Sequence, residues 1–233
     1  MTDFRAIYAT QAEQYDRMVS REDYQNNLWA ALRTVRSFAR LDIVELGAGT
    51  GRLTLPSAGE ARSILACDSS AHMLALARRK LIEGRLRNGR VIVSDNGALP
   101  VRDDSADIVI AGWSLGHSVG WYPHRWQEVI DAALSEMRRV LRPSGTLIIL
   151  ETLGTGTKIP APPHDGLAAY YRHLETEHGF SRIAIRTDYQ FESPEEGAQL
   201  TRFFFGDALA DRIRAEQLTI LPECTGIWWR DCE

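Results

Sequence analysis

Cysteine is scarce in this chain. Only Cys67, Cys224 and Cys232 stand among its 233 residues, and their spacing fits neither a metal-ligand set nor an even-numbered disulfide framework. Cys67 closes an apolar run, where a thiol serves as a small hydrophobe. No apolar stretch approaches the ~20 residues that span a bilayer. Met1-Thr2-Asp3 opens no secretory signal, so a cytoplasmic location without a membrane partner is expected. Positive charge is not in excess: 27 Lys and Arg against 31 Asp and Glu leave a net −4, which argues against nucleic acid as a partner. Internal repeats, low-complexity tracts and linkers that would separate a second domain are lacking too. What is present is an ordinary globular composition, 44% hydrophobic and 25% charged, at a length suited to one α/β unit with a buried sheet.

The informative stretch runs from Leu41 to Ser70. Ile43-Val44 reads as a short buried strand, and Gly47, Gly49 and Gly51 follow at every second position. A short helical segment comes next, then a second apolar run, Ser63 to Cys67, ending on Asp68. Strand, glycine turn, helix, strand and acid make the first half of a nucleotide-binding sheet. Glycines let the backbone approach a ligand with no Cβ in the way. An acid at the tip of the next strand, 21 residues after Gly47, accepts from both hydroxyls of a ribose. An adenosine-containing cofactor is therefore expected. The dinucleotide fingerprint is G-x-G-x-x-G, but here the spacing is G-x-G-x-G and Arg52 stands at the third fingerprint position. Glu45 places a carboxylate beside the turn, which repels a pyrophosphate and suits a cation. Both features disfavour a nicotinamide-dependent oxidoreductase.

Val44 to Arg52, VELGAGTGR, resembles the first motif of the class I S-adenosylmethionine-dependent methyltransferases. Glu45, Gly47, Ala48, Gly49 and Gly51 are then expected at the cofactor S-adenosyl-L-methionine. Asp68 to Leu74, DSSAHML, is similar to the family's D-x-S-x-x-M-L segment, which implies that Asp68 and Ser69 border the ribose and that Met73 lies against the adenine. The tracts ALPVRDDSADIVIAGWS and MRRVLRPSGTLII also resemble the family. The second is structural, a helix stop and tight turn. Tyr8 to Val19, YATQAEQYDRMV, resembles a lid segment, under which Tyr15 covers the cofactor and Tyr8 borders the acceptor. Plain packing of the same aromatics is the other reading. The resemblance implies a Rossmann-like α/β fold: one seven-stranded sheet of order 3-2-1-4-5-7-6, strand 7 antiparallel, with helices on both faces.

Other site residues follow from position. After strand Val91-Ile92-Val93 comes Asp95-Asn96-Gly97. A carboxylate followed by a free N–H serves adenine's amino group and ring nitrogen, with Asp95 for the first and the amide of Asn96 or Gly97 for the second. A turn using common turn residues is the alternative. The strand Ala106 to Ala111 delivers Gly112 to His117 to the ligand end of the sheet, with Trp113 beside the cofactor. His117 is the candidate base or acceptor-binding residue, because imidazole titrates near working pH. A loop histidine satisfied by a backbone carbonyl is the bland counterpart. Trp121, Tyr122 and Trp126 wall an acceptor pocket or anchor the next helix. Glu151 caps strand five on the ligand side, either reaching the acceptor or standing as a solvated strand-end acid. No metal ligands are expected.

Along the chain, residues 1–39 form a helical lid, with one helix holding Phe4, Ile7, Tyr8, Ala12 and Tyr15 and another from Asp23 to Ala39. Residues 40–152 form the cofactor-binding core, and 153–233 the rest of the sheet with a helical insertion at 193–216 between strands 6 and 7. Pro56 is expected two turns into its helix and kinks it. Pro123 opens the helix before strand five. Strand six runs from Ser181 to Phe191, and the last strand from Leu218 to Trp229.

Methyl transfer from a sulfonium requires mainly that donor and nucleophile be held in line with water excluded, worth up to ~7–11 kcal/mol. A base is needed only for a hydroxyl or a cationic amine. No N/D-P-P-Y/F tetrad is present, and no cysteine is placed as a nucleophile. The expected function is methylation of a small-molecule acceptor by a monomer or homodimer. A non-catalytic S-adenosylmethionine-binding module is the rival from another class. A nucleic-acid methyltransferase would have only Arg78-Arg79-Lys80 and Arg85 to Arg90 as a basic face.

Overall fold

The computed structural model describes residues 3–232; Met1 and Thr2, on which the expectation about a secretory signal rests in part, lie outside the described residues. The chain opens with three helices, α1 (Phe4–Thr10), α2 (Ala12–Val19) and α3 (Asn27–Val35). It then alternates β1 (Asp42–Leu46), α4 (Thr54–Glu60), β2 (Ser63–Asp68), α5 (Ala71–Glu83), β3 (Gly89–Val93) and β4 (Ala106–Gly112). The short α6 (His117–Trp121) and the long α7 (Trp126–Val140) lead into β5 (Leu141–Thr155). After α8 (Asp165–Thr176) come β6 (Ser181–Arg186), β7 (Tyr189–Gln190), α9 (Pro194–Phe205), α10 (Asp207–Ala215), β8 (Ile220–Leu221) and β9 (Glu223–Asp231).

Seven strands form one sheet of order β3-β2-β1-β4-β5-β9-β6. β9 pairs antiparallel with both β5 and β6, while β1 to β5 are mutually parallel where they pair. Since β7 and β8 form a separate ribbon, β9 is the seventh strand of the sheet, and the order is the expected one. Both faces are buried, and the strands show it residue by residue. Val44, Val109, Leu147 and Ile149 join α7 and α8 on one side. Ile43, Ile108, Ile110 and Ile148 join α3 and α4 on the other. This period-two division of near-continuous Val, Ile and Leu runs is what a sheet covered by helices on both faces requires.

Local side chains set several helix ends. Ser70 caps α5, its Oγ accepting the Met73 N–H at 3.2 Å. Ser193 caps α9 in the same way, and Gly206, at φ +88°, separates α9 from α10 where the Phe-Phe-Phe-Gly run interrupts the pattern. Several boundaries differ. The first predicted helix breaks at Gln11 into α1 and α2. Pro56 is only the third residue of α4, so its missing N–H is one that a first turn leaves unpaired anyway, and no kink follows. Pro123 lies outside α7, in the turn after α6. The predicted strand six is divided: β6 stays in the main sheet and Tyr189-Gln190 leaves it for the ribbon with β8.

α2, the ribbon and the α9–α10 pair share a core of their own. Met18 and Val19 pack there with Tyr189, Phe191, Leu200, Ile213 and Leu221. The lid and the insertion, which the sequence presents as separate additions, are thus packed together. On its other side the lid is tied to α5, where Lys80 Nζ donates to Asp16 Oδ1 at 2.7 Å and Arg79 pairs with Glu13. Two of the three residues of the Arg78-Arg79-Lys80 run therefore hold the lid. Among the described residues, no helix is long and apolar enough to cross a membrane.

Candidate active site

The glycine turn after β1 faces β2 and β4. Gly47 has φ +64°, and a Cβ there would lie 2.2 Å from Ser114 Cβ, so only glycine permits this approach of the β1 and β4 termini. Gly49, at φ +54°, has an open side: a Cβ would meet nothing nearer than Met73 Cε at 3.7 Å. Its N–H donates to Asp68 Oδ2 at 2.8 Å, while the Ser70 N–H donates to Oδ1 at 2.7 Å. Each oxygen keeps a lone pair for a ligand. Burial raises the Asp68 carboxyl above the usual carboxylate range.

A cavity of about 770 Å³ opens at this end of the sheet. Of the residues expected at the cofactor, Tyr15, Gly47, Gly49, Asp68, Ser69 and Met73 line it, as do Asp95, Asn96, Gly97 and Trp113. Asp95 Oδ1 accepts the Gly97 N–H at 2.7 Å, so of the two amides considered for adenine only that of Asn96 remains available. Tyr8, His117, Trp121 and Tyr122, expected at the acceptor, line the same cavity. Trp126 does not: it packs against Tyr170 and His173 beneath α8.

Three expected cofactor residues lie behind the turn. Ala48 is buried in the core with Ala66 and Leu74. Gly51 packs against Leu55 and Ala77. Glu45 is turned to α4, where Thr54 Oγ1 donates to its Oε2 at 2.6 Å, and burial pushes its pKa up to about 8. The carboxyl expected to influence a ligand's charge is instead buried against α4, and its burial favours the neutral form. Glu151 is corrected likewise. It is only 4% exposed, accepts the Gly116 N–H at 2.8 Å and is pushed to about 8 by burial. It holds the segment that leads into His117. Burial also pushes Cys67 to about 11, which suits an inert thiol.

His117 opens α6. Its Nε2 lies 2.8 Å from the Tyr8 hydroxyl, and its ring stacks on Trp121 at 5.0 Å. Phe4 covers it from the lid at 5.2 Å. Burial lowers its pKa to about 4, so the imidazole is neutral at working pH. Its partner is a side chain across the cavity, not the backbone carbonyl of the bland reading.

Sequence reasoning missed three positions. Ser70 caps α5 and also donates from Oγ to the Tyr8 carbonyl at 2.7 Å, joining lid to cofactor end. Arg5 reaches over Trp121, with 4.8 Å to the ring centroid, and donates to Tyr122 Oη. Glu22 pairs with Arg52 at 2.8 Å, and the Arg52 guanidinium stacks on Trp113 at 3.6 Å. Arg52, noted only as the missing glycine, thereby fixes a cavity wall from behind. All three contacts join residues far apart in sequence and left no local signal.

The residues fit an adenosine-bearing ligand. The turn is open at Gly49, Asp68 has free lone pairs, and the Asn96 amide makes no hydrogen bond among the described residues. Residues 43–145 match the family model described as a methyltransferase domain. A demethylmenaquinone methyltransferase of Lactococcus lactis is 28% identical over 152 residues, 63% of this chain and 57% of that protein. A malonyl-[acyl-carrier protein] O-methyltransferase of Halorhodospira halophila is 31% identical over 156 residues, 66% of this chain and 48% of that protein. The solved YcgJ protein of Bacillus subtilis superposes with a TM-score of 0.63 at 14% identity, covering 90% of this chain and 99% of that one, a likeness of fold. The chain spans about half the length of the curated relatives it matches.

Proposed function

We propose that the chain is a class I S-adenosylmethionine-dependent methyltransferase that methylates a small-molecule acceptor held between the lid and α6, a reading supported by the methyltransferase-domain match and the methyltransferases it resembles. One observation carries this: the residues suited to the cofactor and the Tyr8, His117, Trp121 and Tyr122 group line a single cavity under the lid. Asp68 would hold the ribose hydroxyls, Asp95 and the Asn96 amide the adenine edge, and Met73 its face. Tyr15 and Trp113 would close over the rest. When bound, the cofactor supplies an electrophilic methyl group on a sulfonium.

The chain's own part is positioning, exclusion of water and custody of one proton. Aromatic rings from α1, α6 and α9 surround the acceptor end, with Phe204 of α9 4.9 Å from Phe4. Neutral His117 is ready to accept a proton at Nε2 when the acceptor is a hydroxyl. Its imidazolium would replace the charge lost at sulfur, so the buried site need not hold an additional cation. The two named relatives differ in acceptor, a demethylmenaquinone and a malonyl carrier protein, so the choice of a small molecule rests on the cavity. The basic run offers little support for nucleic acid, because Arg79 and Lys80 hold the lid.

Titration calorimetry with S-adenosylhomocysteine and, separately, NADH tests the cofactor. Micromolar binding of the first alone is expected. Binding of NADH alone overturns the proposal. Binding of S-adenosylhomocysteine without methyl transfer to any of a broad panel of small acceptors would favour the non-catalytic module.

A further inference from the structure

We infer that the side chain of Tyr8 stands in the place of the methyl acceptor, and that the acceptor is a small phenol whose hydroxyl takes over Tyr8's hydrogen bond to His117. This rests on the methyltransferase reading above.

Tyr8 is a lid residue, yet its hydroxyl ends 2.8 Å from the candidate base, inside the cavity that holds Asp68 and Gly49. Its ring is surrounded as a ligand's would be. Tyr15 meets it edge-on at 5.6 Å, His117 edge-on at 5.5 Å, and Phe204 lies at 6.5 Å. The slot is thus shaped by aromatic rings and closed by an imidazole nitrogen, which selects a flat ring with one hydroxyl. The element that carries Tyr8, α1, has seven residues, ends at the Gln11 break and is held to Ser70 through the Tyr8 carbonyl, so entry of a free phenol requires only that the Tyr8 side chain leave the slot.

The charges agree. Among the described residues Asp68 and Asp95 are the only carboxylates lining the cavity, and both are assigned to the cofactor, so no described carboxylate remains to pair with a cationic amine. Burial makes His117 a weak base, its pKa lowered to about 4. Burial also raises the Tyr8 hydroxyl well above the ordinary phenol value. Among hydroxyl acceptors a phenol, with a solution pKa of about 10, asks less of this base than an aliphatic alcohol and still needs the methyl transfer itself to draw the proton off. On transfer the phenolic oxygen bonds the methyl carbon, the carbon–sulfur electron pair stays on sulfur, and the phenolic proton passes to His117 Nε2.

The test removes the internal phenol and supplies it from solution. Tyr8→Ala loaded with S-adenosylhomocysteine is titrated with p-cresol, which is the tyrosine side chain detached from its backbone. Saturable one-to-one binding is expected, at least about tenfold tighter than to the wild type or to Tyr8→Phe, which keeps the ring in place. Toluene, without the hydroxyl, should bind Tyr8→Ala more weakly. With S-adenosylmethionine the same variant should yield 4-methylanisole by mass spectrometry. Equal binding to Tyr8→Phe places the phenol elsewhere and overturns the inference, as does p-cresol that binds and is never methylated. No p-cresol binding to a variant that still binds S-adenosylhomocysteine overturns it while the methyltransferase reading stands. Failure of the wild type to bind S-adenosylhomocysteine overturns both. Tyr8→Leu, which keeps an apolar contact for the lid, takes the place of Tyr8→Ala if the latter does not fold.

Discussion

Gly49 donates its backbone N–H to Asp68 Oδ2 at 2.8 Å, so the glycine turn after β1 and the tip of β2 are held in one fixed relation. The same carboxylate that binds the turn is the one proposed to hold a ribose. Asp68→Ala should therefore weaken S-adenosylhomocysteine binding ~10–100-fold, the loss of charged hydrogen bonds of ~1.5–3 kcal/mol. Calorimetry reads this directly, and an affinity within about twofold of wild type would remove Asp68 from the site.

Gly47 and Gly49 both have positive φ but should fail differently on substitution. A Cβ on Gly47 would stand 2.2 Å from Ser114 Cβ, whereas one on Gly49 has only the cavity before it. Gly47→Ala should lower stability by roughly 3 kcal/mol or more, and adding Ser114→Gly should restore all but the ~1–2 kcal/mol of left-handed strain. Gly49→Ala should show that strain alone in urea unfolding, yet lose most of its affinity for S-adenosylhomocysteine. Equal unfolding midpoints for the two single variants would contradict the packing described.

Arg52 and Glu22 form a largely buried pair, their side chains 18% and 3% exposed, and the guanidinium also stacks on Trp113. Arg52→Ala leaves the Glu22 charge without its partner and should destabilise the fold by about 3–5 kcal/mol. Arg52→Lys keeps the charge but not the planar stack, and should recover only part of the loss. The double variant Arg52→Met, Glu22→Gln should be more stable than Arg52→Ala. Chemical denaturation of the four proteins decides this, and full recovery by lysine would show that stacking on Trp113 contributes nothing.

Glu45, Glu151 and Glu223 all have pKa values raised to about 8 by burial. Unfolded, each would release its proton near 4.5, so between pH 4.5 and 8 the folded chain binds more protons than the unfolded one. Their contribution is fully present below pH 4.5 and is lost as pH rises toward 8. His117 acts oppositely, its folded pKa of about 4 making stability rise with pH from 4 to 6.5. Burial lowers the His178 imidazole in the same sense, and three carboxyls raised to about 8 outweigh the two imidazoles, so the melting temperature should fall from pH 5 to pH 8. Glu151→Gln, which cannot titrate, should gain on the wild type as pH rises, with each kcal/mol worth about 2–4 °C. A melting difference between the two proteins that does not change with pH would contradict a protonated Glu151.

The sequence alone determined the parts whose physics is local. Three alternating glycines and Asp68 at the next strand's tip pointed to an adenosine-containing cofactor, because a tight turn and a ribose each demand particular residue types at short spacing. Apolar runs such as Ala106 to Ala111 marked central strands, since burial on both faces leaves no place for polar residues. The sheet order came with the resemblance of motifs like VELGAGTGR. Only the tertiary structure decided which way Glu45 and Glu151 face, because neighbouring strand residues look to opposite sides and the register is a property of the whole sheet. Only it could bring Tyr8 to His117 across 109 residues, stack Arg52 on Trp113, and join the lid to the α9–α10 insertion. Those contacts depend on where distant elements come to rest, and hydrophobic periodicity reports that a face is buried without saying against what.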